Sequence, residues 1–263
     1  MSPLLRVSLA TQRRAVIGWA IGLALVAAIY AAVYPPIQQS AGDLNAYLDK
    51  MPEAFKNVVG ENYASPAGYL RAELFAILGP ILFLVYTIGA GGRAIAGEEE
   101  ARSLDLLLVT PLSRIRVVAD KAIALLMSVV ALGVFLFVIV VAIGRPFDLI
   151  VPIADVAAAC LMLILLGLVF ASLALAIGAA SGRRAWANAV SGGFAVVTYV
   201  VNALGPSVSW LAWARPLSPF RWYLDPDALT TGLHPANVAV LLAITAVCTA
   251  FAFWVFRRRD LAA

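Results

Sequence analysis

The chain has 263 residues, of which 63% are hydrophobic and 13% charged, with a formal net charge of +4. A water-soluble domain is about 45–50% apolar and about 25% charged, so this composition excludes an ordinary soluble globule. The basic residues sit in short runs between apolar stretches, where they set membrane topology, and nucleic acid is not an expected partner.

Six stretches reach the roughly 20 apolar residues that a spanning helix needs. Residues 1–14 mix Leu4, Leu5, Val7 and Leu9 with Arg6, Arg13 and Arg14, a pattern predicting a short helix on the inner leaflet. The first span covers 15–33 and is closed by Tyr34-Pro35-Pro36; it is longer than the roughly 7–15 apolar residues of a cleaved signal. An outer loop over 34–68 places Leu44, Leu48, Met51, Phe55 and Val58 on one helical face. That helix either rests on the outer surface or forms a lid over an exit path. The second span covers 70–95 with Glu73 near its start, the third 122–143, and the fourth 153–180 with Asp155 at its beginning. The fifth runs over 185–205 and the sixth over 236–256, stopped by Arg257, Arg258 and Arg259. Between them, 206–235 gathers Trp210, Trp213, Arg215, Arg221, Trp222 and Tyr223, the composition of a headgroup belt or a re-entrant outer hairpin. No internal repeat or linker divides the chain, so 1–263 reads as one all-α polytopic membrane domain.

Lys and Arg orient it. With the N-terminus inside, the inner segments hold Arg6, Arg13, Arg14, Arg93, Arg102, Arg114, Arg116, Lys121, Arg183, Arg184 and Arg257 to Arg259. The outer segments, although longer, hold only Lys50, Lys56, Arg71, Arg145, Arg215 and Arg221. Positive charge stays inside, which gives an N-in, C-in topology.

The most informative segment lies inside, between the second and third spans, over 97–110. Glu98, Glu99 and Glu100 suit the partial positive charge of a helix N-terminus. Arg102 and Asp105 are spaced to pair, and Leu104, Leu107 and Leu108 share one face. Pro111 ends the helix. About three turns long, or roughly 20 Å, this helix is flanked tightly by two spans and would pass motion into both. Its acidic end and leucine face have no obvious partner within the chain, which favours docking onto a soluble protein over lying on the anionic inner leaflet.

The run GEEEARSLDLLLVTPLSRIRVVADK resembles the segment that precedes the third span in ABC type 2 permeases, the membrane subunits of many bacterial ATP-binding cassette exporters. The matching positions are Glu98 to Glu100, Ser103, Leu104, Asp105, Leu106 to Leu108, Pro111, Ser113-Arg114 and Lys121. Arg102 departs from the pattern, standing where such permeases often have Gly. The order of elements along the whole chain is similar as well. The resemblance implies a permease that pairs with a second copy or a paralogue and with two ATPase subunits. It also implies that 97–110 is a coupling helix, with Glu98, Glu99, Glu100, Arg102, Leu104, Asp105, Leu107, Leu108 and Pro111 at the ATPase interface. ATP and magnesium would then be bound by the partner ATPase and no cofactor by this chain, in a prokaryotic plasma membrane.

The residues support the need for a partner on their own. A phosphate-binding loop requires Lys followed by Ser or Thr, whereas Lys50, Lys56 and Lys121 precede Met51, Asn57 and Ala122. An intramembrane protease is excluded because Glu98 to Arg102 and His234 fall on opposite faces, about 30 Å apart. Cys160 and Cys248 lie apart in apolar runs, without neighbouring metal ligands. An ion-coupled transporter or channel would carry ionisable groups at mid-membrane depth. Here the polar groups at depth are mild: Tyr86, Thr87, Asn188, Thr198, Tyr199 and Asn202. They line a substrate path or join helices. Such a path suits an amphipathic, hydrophobic or lipid-like cargo moved outward. A scaffold role for an ATP-driven complex, serving assembly or signalling, is the alternative, with ion-coupled transport behind it.

Overall fold

The computed structural model describes residues 2–42, 50–51, 63–101 and 114–259, and six of its helices are long and apolar enough to cross a membrane. They are α1 (Pro3–Gln39), α2 (Pro66–Glu100), α3 (Arg114–Gly144), α4 (Ile153–Ser181), α5 (Arg184–Leu204) and α8 (Pro235–Arg258). Two short helices, α6 (Pro219–Leu224) and α7 (Ala228–Thr231), lie between α5 and α8 with a 3-10 segment over Ala212–Leu217. The protein is an all-α, multi-pass membrane protein. Ser2 and Arg259 lie at the same end of the bundle, the one that carries most of the basic residues and that the charge bias assigns to the cytoplasm.

The bundle is built around α4, which packs against α2, α3, α5 and α8. Its sequence explains this. Apart from Asp155 in its first turn it has no charged residue, and a helix that is apolar all round belongs inside. Small residues let neighbours approach. Phe83 of α2 fills the space beside Gly167, and a side chain at Gly91 would meet the Ala171 carbonyl oxygen at 2.3 Å. Close backbone approach of this kind supplies the van der Waals contact that holds helices together in lipid.

Two expectations about the N-terminal region are corrected. Residues 3–14 are not a separate surface helix but the first turns of α1, and Leu4, Leu5 and Ser8 are buried where α1 packs along α3. The helix also does not stop at Tyr34; it continues through Pro35 and Pro36 to Gln39. Proline's fixed φ near −65° is compatible with a helix although its missing N–H weakens one, and tertiary contacts hold this turn. Tyr34 is fully buried, its ring lies tilted against Tyr69 with centroids 5.1 Å apart, and its hydroxyl donates to the Ala64 carbonyl at 3.1 Å. In the outer loop, Leu44, Leu48, Phe55 and Val58 lie outside the described residues.

Helix α2 is longer than expected and contains two π-helical turns, Arg71–Leu78 and Arg93–Gly97. Pro80 accounts for the first. Its ring has no N–H and crowds the carbonyl four residues back, so the preceding turn widens and Gly79 N–H donates five residues back to Leu74.

Candidate functional site

The acidic triplet turns out to be the last turn of α2. Glu98–Glu100 continue the second span instead of opening a new helix. This corrects the expectation of a helix N-terminus there. Carboxylates at a helix C-terminus oppose its dipole, so this turn needs donors from elsewhere, and it has two cationic side chains and one backbone N–H.

Glu98 pairs with Lys121 of α3, whose ammonium also donates to Ser8 of α1 at 3.0 Å. Lys121 is almost wholly buried. Beside it, Asp120 accepts a 2.6 Å hydrogen bond from Ser2, whose oxygen in turn caps α1 by accepting from Leu5 N–H. Glu99 receives both prongs of Arg259, just past the end of α8, at 2.6 and 3.0 Å. The same guanidinium donates to the Ala179 carbonyl near the end of α4 at 3.2 Å. Glu100 accepts from the Arg184 backbone N–H at 2.8 Å. That puts its negative charge on the first turn of α5, where the dipole favours it.

Three consecutive glutamates therefore reach three directions: α1 and α3, then α8 and α4, then α5. The corner between α4 and α5 is shaped to admit this. Gly182 has φ +65°, and a Cβ there would lie 2.3 Å from the Arg259 guanidinium and 2.6 Å from the Glu99 carboxylate. The expectation that the acidic end has no partner within the chain is corrected: all three carboxylates are engaged. The rest of the predicted ATPase interface, Arg102, Leu104, Asp105, Leu107, Leu108 and Pro111, lies outside the described residues.

Sequence reasoning missed Arg259, Ser8 and Arg184 as partners, and read Lys121 as a topology signal and a position of the permease pattern but not as a partner of Glu98. The available signal was an acidic triplet amid basic helix ends on one face, but pairing them requires the fold.

The polar residues at depth do not form one site. Asn188 and Tyr199 line an apolar groove between α2 and α5, of about 440 Å³, walled by Ile81, Leu84, Val85 and Val196 and closed outward by Phe220. Tyr86 and Thr87 are instead buried in the bundle, Tyr86 facing Trp19 at 6.4 Å. Thr198 bonds back to the Phe194 carbonyl at 2.7 Å, and Asn202 is buried near the end of α5. The exposed face of α5 beside the groove is apolar, carrying Trp186, Val190, Val197, Val200 and Leu204.

Among the described residues no group of three His, Cys, Asp or Glu could hold a metal ion. A family model described as ABC-2 family transporter protein matches residues 4–261. No curated protein matches the chain.

Proposed function

The chain belongs to the ABC-2 family of transporter proteins, and on that premise we propose that it is the non-catalytic permease subunit of an ATP-driven exporter. Its partners are ABC ATPase subunits at the cytoplasmic end and a second permease copy or paralogue in a prokaryotic plasma membrane. The cargo is an amphipathic, hydrophobic or lipid-like compound.

One observation carries this reading. Glu98, Glu99 and Glu100 are bonded to the cytoplasmic ends of α3, α8 and α5, immediately before the segment that would meet the ATPase. A pull on that segment is delivered at once to α2 and, through three short polar links, to the other helices. Ion pairs and hydrogen bonds suit this role because they can exchange partners without opening an apolar core. The α2–α5 groove supports the cargo class, since it is lined almost entirely by apolar side chains with Asn188 and Tyr199 as its polar points. The apolar face of α5 is the surface that a second copy would cover.

The test is ATP-dependent accumulation of an amphipathic dye in inside-out vesicles containing this chain and the ATPase that co-purifies with it. Uptake that requires ATP and both chains supports the reading. Uptake driven by a proton gradient without any ATPase overturns it.

A further inference from the structure

The outer end of the bundle holds a second charged cluster that force transmission does not use. Arg71 begins the first π-helical turn of α2, Arg215 lies in the 3-10 segment, Arg221 in α6, and Asp225 just after it. All three guanidiniums face one carboxylate. Asp225 takes a close contact from Arg215, lies 3.8 Å from Arg221 and 3.9 Å from Arg71. Asp227, 3.4 Å from Arg71, is the only other acid in this set of ion pairs, and it also caps α7 by accepting from Leu229 N–H at 3.0 Å. Among the described residues, three positive charges thus meet two negative ones.

The donors are under-filled as well. Arg71 is 17% exposed and makes no hydrogen bond among the described residues, only its two ion-pair contacts. Among the described residues, the Nε atoms of Arg71 and Arg215 are buried without an acceptor. A guanidinium is a fork of five N–H donors, and leaving such groups unfilled away from water is costly. The surplus of charge and the surplus of donors both call for an oxyanion with several acceptor oxygens. Phosphate is such a group, and arginine forks bind it bidentately.

The cluster has an open side, because Arg215 and Arg221 remain 27% and 33% exposed. The chain is shaped around it: a side chain on Gly205 would meet Arg215 Cβ and Cδ at 3.3 Å. Flanking it, Trp210, Trp213 and Leu217 project outward, at the level where aromatic residues meet lipid headgroups. We propose that Arg71, Arg215 and Arg221 form a phosphate-binding site at the outer membrane surface, with Asp225 as the internal competitor that holds the arginines together when no phosphate is bound.

The test uses the purified full chain in detergent and follows its thermal unfolding midpoint, which rises with any ligand that binds only the folded state. The probes are inorganic phosphate, a short-chain phosphatidylglycerol and the diacylglycerol with the same acyl chains. Phosphatidylglycerol is expected to raise the midpoint and diacylglycerol to leave it unchanged. A matching response to inorganic phosphate would assign the site to the free anion, and its absence would assign it to the lipid headgroup. Arg71→Gln with Arg215→Gln should weaken the apparent affinity by about tenfold or more. Asp225→Asn should strengthen it, a change in the opposite direction that mere loss of folding cannot mimic. Equal responses to phosphatidylglycerol and diacylglycerol would overturn the proposal. So would an affinity that none of these substitutions alters.

Discussion

Arg259 and Glu99, 160 positions apart in the chain, meet in a two-pronged ion pair at 2.6 and 3.0 Å beside a glycine whose missing side chain makes room for them. The pair joins the last turn of the second span to the end of the last span. Through the Ala179 carbonyl it also reaches the fourth, the most buried helix of the bundle. Together with the Glu98–Lys121–Ser8 and Glu100–Arg184 contacts, it links the helix ends at this face into one cytoplasmic ring.

Breaking that pair should affect coupling more than stability. Both side chains are 22% exposed, and partly exposed pairs contribute roughly 0.5–1 kcal/mol. Arg259→Gln is therefore expected to leave the folded protein intact in membranes while lowering the amount of cargo moved per ATP hydrolysed several-fold. Exchanging the charges, with Glu99→Arg and Arg259→Glu together, should restore part of that ratio. Parallel transport and hydrolysis measurements on one vesicle preparation check this, and an unchanged ratio in Arg259→Gln would count against the link.

Lys121 should behave differently because its side chain is only 5% exposed. Removing one partner of a buried pair leaves the other charge without compensation, so Lys121→Met is expected to cost about 2 kcal/mol, less than for a pair buried on both sides. Glu98→Leu combined with Lys121→Met should recover part of that loss, since the carboxylate is then no longer left facing an apolar side chain. Unfolding midpoints of the single and double variants give the comparison.

The contrast between these two pairs also marks what was legible in the sequence. The spans were readable because hydrophobicity over twenty residues is a strong local signal; the fourth, expected over 153–180, is observed at Ile153–Ser181. Local signals failed where proline met tertiary packing. Pro35 and Pro36 read as a stop, yet the buried Tyr34 holds α1 together past them. The acidic triplet was singled out from its neighbours in sequence, but its partners were not. Glu98 bonds 23 positions away and Glu99 160 positions away, and every inner helix end offered a basic candidate. The groove likewise took only Asn188 and Tyr199 from six candidate polar residues, because which side of a helix faces a neighbour depends on its packing.

At the outer end, Tyr223 supplies a pH-dependent test. Its hydroxyl donates to the Phe75 carbonyl at 2.7 Å. Burial pushes its phenol well above the ordinary value of 10.0, and the nearby Cys160 and Asp227 add to the shift. The folded protein therefore holds this proton more tightly than the unfolded chain, and the resulting stabilisation is complete below pH 10 and lost as pH rises above it. Tyr223→Phe should cost about 1 kcal/mol near neutral pH through the lost hydrogen bond. It should also make the decline in stability above pH 10 shallower. Unfolding midpoints across the alkaline range would show both effects, and an identical alkaline decline in the two proteins would remove Tyr223 as its source.

Gly182 offers the sharpest test of the cytoplasmic ring, because a single methyl group there acts on backbone and ion pair together. Its φ of +65° ends α4 in the left-handed region, where the residue N–H closes onto the Gly178 carbonyl at 2.9 Å. Any other L-residue pays about 1–2 kcal/mol for that conformation. The added Cβ would also stand within 2.6 Å of both the Arg259 guanidinium and the Glu99 carboxylate. Gly182→Ala is thus expected to destabilise by about 1–2 kcal/mol and to displace the pair, reproducing the coupling defect of Arg259→Gln. Gly91→Ala serves as the contrast. Its Cβ would strike the Ala171 backbone within the bundle, an overpacking change worth about 1–3 kcal/mol, far from the glutamates. If the ring transmits force, the two glycine variants will lose stability to a similar degree, yet only Gly182→Ala will lower the cargo moved per ATP. Equal transport ratios in the two would mean that the ion pair holds the bundle together without conveying motion.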